Sequence, residues 1–265
     1  MPWSLPHRRG NAAADVATST ALGENCLLTA LRADDLARLQ PNLARVSLRQ
    51  GEVIHRAGEP IEQVYFLVSG MVSIVAIMRT GEAIETAIIG REGVVGGAVG
   101  SNGARSAGQA VVQIAGAGWR IQSAKFSELY RASDPFRTLV NNFQGVVLLQ
   151  AQQSAACHAL HSVEARLCRW LLQSQDITAS DIIPLTQEFL SHMLGVRRTS
   201  VSLSAHALQK AGLIRYSRGE IKIVNRAGLM ETACECYEVV REYIDQAVPP
   251  LRRRTKAESS PDDAV

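Results

Sequence analysis

Three groups of residues in this 265-residue chain have types and spacings that could do chemistry. The first is Arg197-Arg198-Thr199-Ser200, followed by Ser202 and His206. A guanidinium can donate two parallel hydrogen bonds to a guanine edge or a phosphate, and short hydroxyls can donate or accept beside it. The second is Arg105-Ser106, a guanidinium and a hydroxyl that together suit a phosphate. The third is sulfur and imidazole: Cys157, His158 and His161, and farther on Cys234-x-Cys236. His158 and His161 stand three residues apart and could share a metal, but an ordinary polar helix end is the preferred reading. Cys234 and Cys236, read as part of one helix, point to different faces, so packing rather than chelation is expected and no metal site is predicted. No nucleophile–base pair, metal triad or phosphate-cradling loop has catalytic spacing, so the chain is not read as an enzyme.

The first group needs a rigid mount. Between 185 and 224 two short helical patterns flank Gly195, and a hairpin-like segment follows. Thr186 can cap the first helix, Glu188 suits its first turn, and Gly195 permits a tight turn. Val196, Val201, Ala205 and Leu208 form an inward face, which leaves Arg198, Thr199, Ser202 and His206 outward. Helix, turn, helix and wing is a layout that sets one helix against a DNA groove. Arg198 is then the expected base reader. Thr199, Ser200 and Ser202 can reach a base edge or a phosphate, and Arg197, Lys210, Arg215 and Arg218 are expected on the sugar–phosphate backbone. The alternative for each arginine is a surface charge without a partner. Leu203 could touch a thymine methyl or join the core, and the core is preferred. From 184 to 226 there are seven basic and two acidic residues, a net +5 that suits a polyanion.

The remaining pattern supplies two further parts. From 46 to about 121, short Val/Ile-rich runs alternate with glycine-marked turns, as in an antiparallel sandwich or barrel. From 136 a long helix is predicted, with Asp134 capping it and Phe136, Val140, Phe143, Val147, Gln150, Ser154 and Cys157 forming a narrow stripe. That stripe is either a seam between two copies or a core face lying on the chain's own sheet. The seam is favoured, because the stripe is narrow and the helix long. Asp34 is a candidate cap near the N-terminus, and a final amphipathic helix is expected from 228 to about 246. Five cysteines form no disulfide framework, no apolar run reaches a membrane span, and no signal peptide is evident, so a cytoplasmic protein without a membrane partner is expected.

The motifs LRQGEVIHRAGEP, VYFLVSGMVSIV, VEARLCRWLL, LTQEFLSHMLGVRRTSVS and LQKAGLIRYSRGEIKIV, in this order, resemble the cyclic-AMP-receptor/FNR (Crp/Fnr) family of bacterial transcription regulators. The resemblance runs from about 27 to 224. It implies an α+β fold: a cyclic-nucleotide-binding-like β-barrel of jelly-roll type at 21–135, a dimerisation helix at 136–161 and a winged helix-turn-helix at 162–228. A helix at 229–248 and disordered tails at 1–20 and 249–265 complete the expected organisation. The function implied is a sequence-specific regulator acting as a homodimer on a palindromic operator in double-stranded DNA, with RNA polymerase as a further partner. The alternative is a cyclic-nucleotide sensor whose main output is ligand binding. The family's pocket pairs an arginine-serine that holds the cyclic phosphate with a glycine-glutamate that holds ribose. Arg105-Ser106 matches the first half. Gly93-Val94-Val95-Gly96-Gly97 occupies the region of the second, with Glu92 nearby but displaced. A remnant of the scaffold is preferred over a cyclic-nucleotide site, and no cofactor is predicted. Only Cys26 stands where the FNR branch carries its cluster cysteines, so no iron–sulfur centre is expected. The receptor's reading helix carries arginine, glutamate and a later arginine. Here Arg198, Thr199 and Leu203 fall at those places, so the target sequence should differ.

Overall fold

Glycine-punctuated Val/Ile runs become eight strands because β-branched side chains fit a pleated, half-buried surface and the glycines turn the chain. The computed structural model describes residues 25–102, 105–217 and 219–248; both expected tails and Arg218 lie outside the described residues. The chain enters through α1 (Cys26–Thr29) and α2 (Ala33–Leu39). Asn25 caps α1, and its buried amide donates to the Leu67 and Gly93 carbonyls, tying the entry to the sheet. Asp34 is not a cap: α2 begins after Arg32, which places Asp34 inside the first turn, where its charge suits the helix dipole.

The strands are β1 (Ala44–Leu48), β2 (Val53–His55), β3 (Gln63–Leu67), β4 (Met71–Ile77), β5 (Ala83–Ile89), β6 (Val94–Val95), β7 (Gln109–Ile114) and β8 (Gly116–Gln122). The short helix α3 (Val99–Asn102) lies between β6 and β7. They form two antiparallel four-stranded sheets, in the orders β1-β8-β3-β6 and β2-β7-β4-β5. This is the sandwich form of the jelly-roll expectation. Val64, Phe66, Val72, Val112 and Ile121 fill its interior.

Two helices follow, α4 (Ser123–Ala132) and α5 (Asp134–Leu160). Ser133, one residue earlier than expected, caps α5 by accepting from the Phe136 N–H. The predicted stripe is real but faces inward. Phe136, Val140 and Phe143 are buried in the sandwich core together with Val146, and the predicted Val147 packs against it half-buried. Its polar members are equally occupied. The Gln150 amide donates to the Ile88 carbonyl and accepts from the Ile88 N–H, and Ser154 donates to the Thr86 carbonyl. The stripe therefore covers the free edge of β5 in its own chain, and the preferred reading as a seam between copies is corrected. Periodicity announced a buried face but could not say what would bury it.

The C-terminal half comprises α6 (Val163–Thr178), β9 (Ile182–Ile183), α7 (Gln187–Leu194), α8 (Arg198–Lys210), β10 (Ile214–Ser217), β11 (Glu220–Ile223), α9 (Arg226–Thr232) and α10 (Cys236–Ala247). Ser162 caps α6, its Oγ accepting from the Ala165 N–H. The single final helix expected from 228 is instead two, α9 and α10. Ala233 is extended, with φ −66° and ψ 154°, and the break turns both Cys234 and Cys236 inward. A second core joins the halves: Met71, Val75, Ile88 and Val111 on the outer face of the β2-β7-β4-β5 sheet meet Leu167, Trp170 and Leu171 of α6. At this contact the Trp170 indole donates to Glu85 Oε1 at 2.8 Å, and Ser73 Oγ donates to Oε2. Burial pushes the Glu85 carboxyl up to about 7, against the opposing pull of Ser73, Arg169 and Trp170. Among the described residues no helix is long and apolar enough to cross a membrane.

Candidate nucleic-acid interface

Local sequence sets the α7–α8 pair. Thr186 Oγ1 accepts from the Phe189 N–H and opens α7. Gly195 closes it at φ +59°, a left-handed conformation that glycine adopts without cost. The turn is sealed by the Gly195 N–H on the His192 carbonyl and the Val196 N–H on the Ser191 carbonyl. A Cβ at residue 195 would stand 2.8 Å from the Ile84 side chain, so the turn also sits tightly on β5. Along α8, Val201, Ala205 and Leu208 are buried, and Val196 before it is half-buried. The far end is pinned where Gln209 accepts from the Tyr216 N–H, which ties α8 to the wing.

The opposite face is open. Arg197, Arg198, Thr199 and His206 are exposed, and Ser200 and Ser202 are half-exposed. Arg198 and Ser202 lie one turn apart, with Ser202 Oγ donating back to the Arg198 carbonyl at 3.0 Å. Leu203 is 73% exposed on this same face and is not in the core, a correction to the preferred reading. The signal was available: Leu203 falls four residues after Thr199 and off the Val201/Ala205/Leu208 face. Lys210 and Arg215 are exposed at the flanks.

The charge is uncompensated. Arg197, Arg198, Lys210, Arg215 and Lys222 form no salt bridge among the described residues. In the three-stranded sheet β10-β11-β9, Arg215 lies directly opposite Lys222. Like charges across a strand pair are destabilising unless an anion lies between them. Arg226 does not share this role. It is held inward by Asp176, the Tyr237 hydroxyl and Gln175, so the helices α6, α9 and α10 absorb its charge.

Arg105 and Ser106 are placed differently. Arg105 Nη1 donates to the Gly58 carbonyl at 2.8 Å, and Ser106 Oγ donates to the Gly108 carbonyl at 2.7 Å. The Ser106 N–H donates to Glu59 and its carbonyl accepts from Gly58, so the dipeptide zips two loops together. Glu92 accepts from the Gly90 N–H and lines a cavity of about 280 Å³ with Gln150, Asp176, Arg226, Tyr237 and Arg241. Neither Arg105 nor Ser106 lines that cavity. The glycine run at 93–97 has its own physical reason. A Cβ at Gly93 would stand 1.9 Å from the Phe143 ring, so a bare backbone is what lets α5 close on the sandwich.

The sulfur and imidazole groups are regrouped. Cys157, His161, Cys234 and Cys236 bring their ligand atoms within 4.8 Å of one another. His158 stands apart, with Nδ1 on the Ser154 carbonyl at 2.6 Å. The expectation that Cys234 and Cys236 point to different faces is corrected, because it placed both on one continuous helix, whereas Cys234 lies in the break before α10; both are buried, as packing requires.

Comparison with known proteins agrees with this architecture. Residues 45–133 match the family described as the cyclic nucleotide-binding domain, and residues 165–232 match the Crp-like helix-turn-helix domain. No curated protein matches the sequence. Among solved structures, a regulator of the crp/fnr family from Eubacterium rectale is similar at TM-score 0.63 and 16% identity, covering 79% of this chain and 98% of that one. FixK2 from Bradyrhizobium japonicum gives TM-score 0.63 and 18% identity over 72% of this chain and 98% of its own. The c-di-GMP-responsive regulator CLP from Xanthomonas campestris gives 0.60 and 18% over 72% and 99%. At these identities the likeness concerns the fold.

Proposed function

The chain belongs to the Crp/Fnr family of transcription regulators, and we propose that it acts as a sequence-specific DNA-binding regulator, as a homodimer on a palindromic operator. The observation that carries this reading is the outward face of α8, with Arg198, Thr199, Ser202, Leu203 and His206 over a buried Val201/Ala205/Leu208 face. In a major groove, Arg198 donates to guanine O6 and N7, and Leu203 meets a thymine methyl. Thr199, Ser200 and Ser202 reach base edges or phosphates. Arg197, Lys210 and Arg215, with Arg218 by sequence, neutralise phosphates, and the Arg215/Lys222 pair gains a shared anion.

The homodimer uses the other face of α5. Opposite its buried stripe, Leu148 is 60% exposed, and Ala155 and Ala159 follow at helical spacing, a narrow apolar strip for a second copy. A dimer sets two α8 helices about 34 Å apart, one turn of the duplex. Arg105 and Ser106 serve the scaffold in this reading, and no cyclic nucleotide is assigned to them.

Selection of binding sequences from random duplexes by the full chain tests the proposal. The expected product is an inverted repeat with half-sites about 10 base pairs apart, bound two chains per duplex. Enrichment of a single half-site by a monomer removes the dimer. Absence of any enrichment removes the function.

A further inference from the structure

We propose that Cys157, His161, Cys234 and Cys236 form a tetrahedral zinc site that fastens α10 to the hinge between α5 and α6. Cys157 lies in the last turn of α5, and His161 is its C-cap residue, immediately before the cap of α6. Cys234 sits in the break after α9, and Cys236 is the first residue of α10. Chain segments 77 residues apart thus converge on one point.

The distances fit an ion better than a bond. Cys157 Sγ and Cys234 Sγ are 3.5 Å apart, and Cys236 Sγ is 3.4 Å from His161 Nδ1. With Zn–S near 2.3 Å and Zn–N near 2.0 Å, ligand atoms at the corners of a tetrahedron stand roughly 3.5–3.8 Å apart. A disulfide needs sulfurs at about 2.05 Å. Three sulfurs and one imidazole are a soft set that favours zinc over magnesium or calcium, and four protein ligands close the coordination sphere, as in structural rather than catalytic sites.

The surroundings are arranged for the same end. His161 turns Nδ1 to the cluster and places Nε2 3.2 Å from Glu235 Oε1, the carboxylate–histidine pairing that fixes the tautomer of a metal ligand. Gln153 Nε2 donates to Cys236 Sγ at 3.0 Å, a bond that strengthens when the sulfur is a thiolate. Zinc with three thiolates and a neutral imidazole carries one net negative charge. Arg166 and Arg169 are buried nearby with no salt bridge among the described residues, so the negative charge of the site sits beside two cations. Binding releases the thiol protons and ties the far end of the DNA-reading half to the end of the long helix.

The test is metal analysis of the full chain purified under reducing conditions by elemental mass spectrometry. One zinc per chain is expected, with loss in Cys236→Ser and His161→Ala and retention in Cys168→Ala, a cysteine buried in the other core. Because a ligand variant can misfold, the unaltered chain is also stripped with a chelator and titrated with cobalt(II). Thiolate-to-cobalt charge transfer and tetrahedral d–d bands should saturate at one equivalent and vanish on adding zinc. A chain that carries no metal as isolated and gives no cobalt spectrum with its thiols reduced overturns the proposal. So does a Cys157–Cys234 disulfide in the isolated chain that, once reduced, still takes up no metal. None of these readouts involves DNA, so the regulator reading stands or falls separately.

Discussion

Arg198-Thr199 and Arg105-Ser106 are the same chemical pair, an arginine followed by a hydroxyl, yet the fold gives them opposite standing. Arg198 and Thr199 lie on the outward face of α8, where neither side chain has a hydrogen-bond or ionic partner among the described residues. Arg105 and Ser106 donate to the Gly58 and Gly108 carbonyls. A phosphate arriving at α8 finds donors that only water has to leave. One arriving at Arg105 must also displace protein acceptors, so part of the gain of each new bond is cancelled. Residue types name a capability; the carbonyls nearby decide whether it is available.

The comparison assumes the DNA-reading half stays docked on the sandwich, and the largest expected effect probes that. Glu85 is neutral in the folded chain below about 7, whereas unfolded it ionises near the ordinary 4.5. Between those values the folded state holds more protons, so stability falls as pH rises from about 4.5 to about 7 and flattens above it. The total is on the order of 3 kcal/mol. Denaturant melts across this range should show a shallower fall in Glu85→Gln, which keeps an acceptor for Trp170, than in the parent; burial also raises the Glu92 carboxyl, which keeps its own share of the fall. A slope unchanged in the variant assigns the pH dependence elsewhere.

Next in size is the open pair itself. Arg198→Ala should weaken binding to the selected operator by about 1–3 kcal/mol and relax the preference at one base pair in each half-site. Binding to random duplex should hardly change. Fluorescence anisotropy with both duplexes at one salt concentration measures this. Equal losses on both would make Arg198 a phosphate contact and leave the reading of bases to the rest of α8.

How much of this was legible beforehand follows the range of the interactions. The Thr186 cap and the Gly195 turn depend on neighbours within four residues, and sequence located both of them. The open face of α8 was legible for the same reason, except for Leu203, whose hydrophobic type outweighed its position. The partner of the α5 stripe was not legible. Gln150 is satisfied by Ile88, 62 residues away, and the same alternation would have served a second helix. The four-residue sulfur and imidazole cluster was hidden twice, by its separation along the chain and by a helix break that amphipathic periodicity runs straight across. Glu85 and Trp170 are 85 residues apart and carry no motif at all.

The smallest expected effect is the most discriminating for the comparison. Arg105→Ala removes one exposed side-chain bond to Gly58 and should cost about 0.5 kcal/mol of stability, near the low end for such a bond. Operator binding should be unchanged, because Arg105 is on the sandwich and takes no part in the contact between the α7–α8 turn and Ile84 of β5. Titration calorimetry with cyclic AMP and cyclic GMP should give no heat of binding in either the parent or the variant. The two proteins must be compared, since weak binding that survives the substitution would concern another part of the chain. Binding in the parent that disappears in Arg105→Ala is the result that breaks the contrast. It would mean that a ligand phosphate outcompetes the Gly58 carbonyl, and that the loop of Arg105 and Ser106 is a closed form of a working pocket.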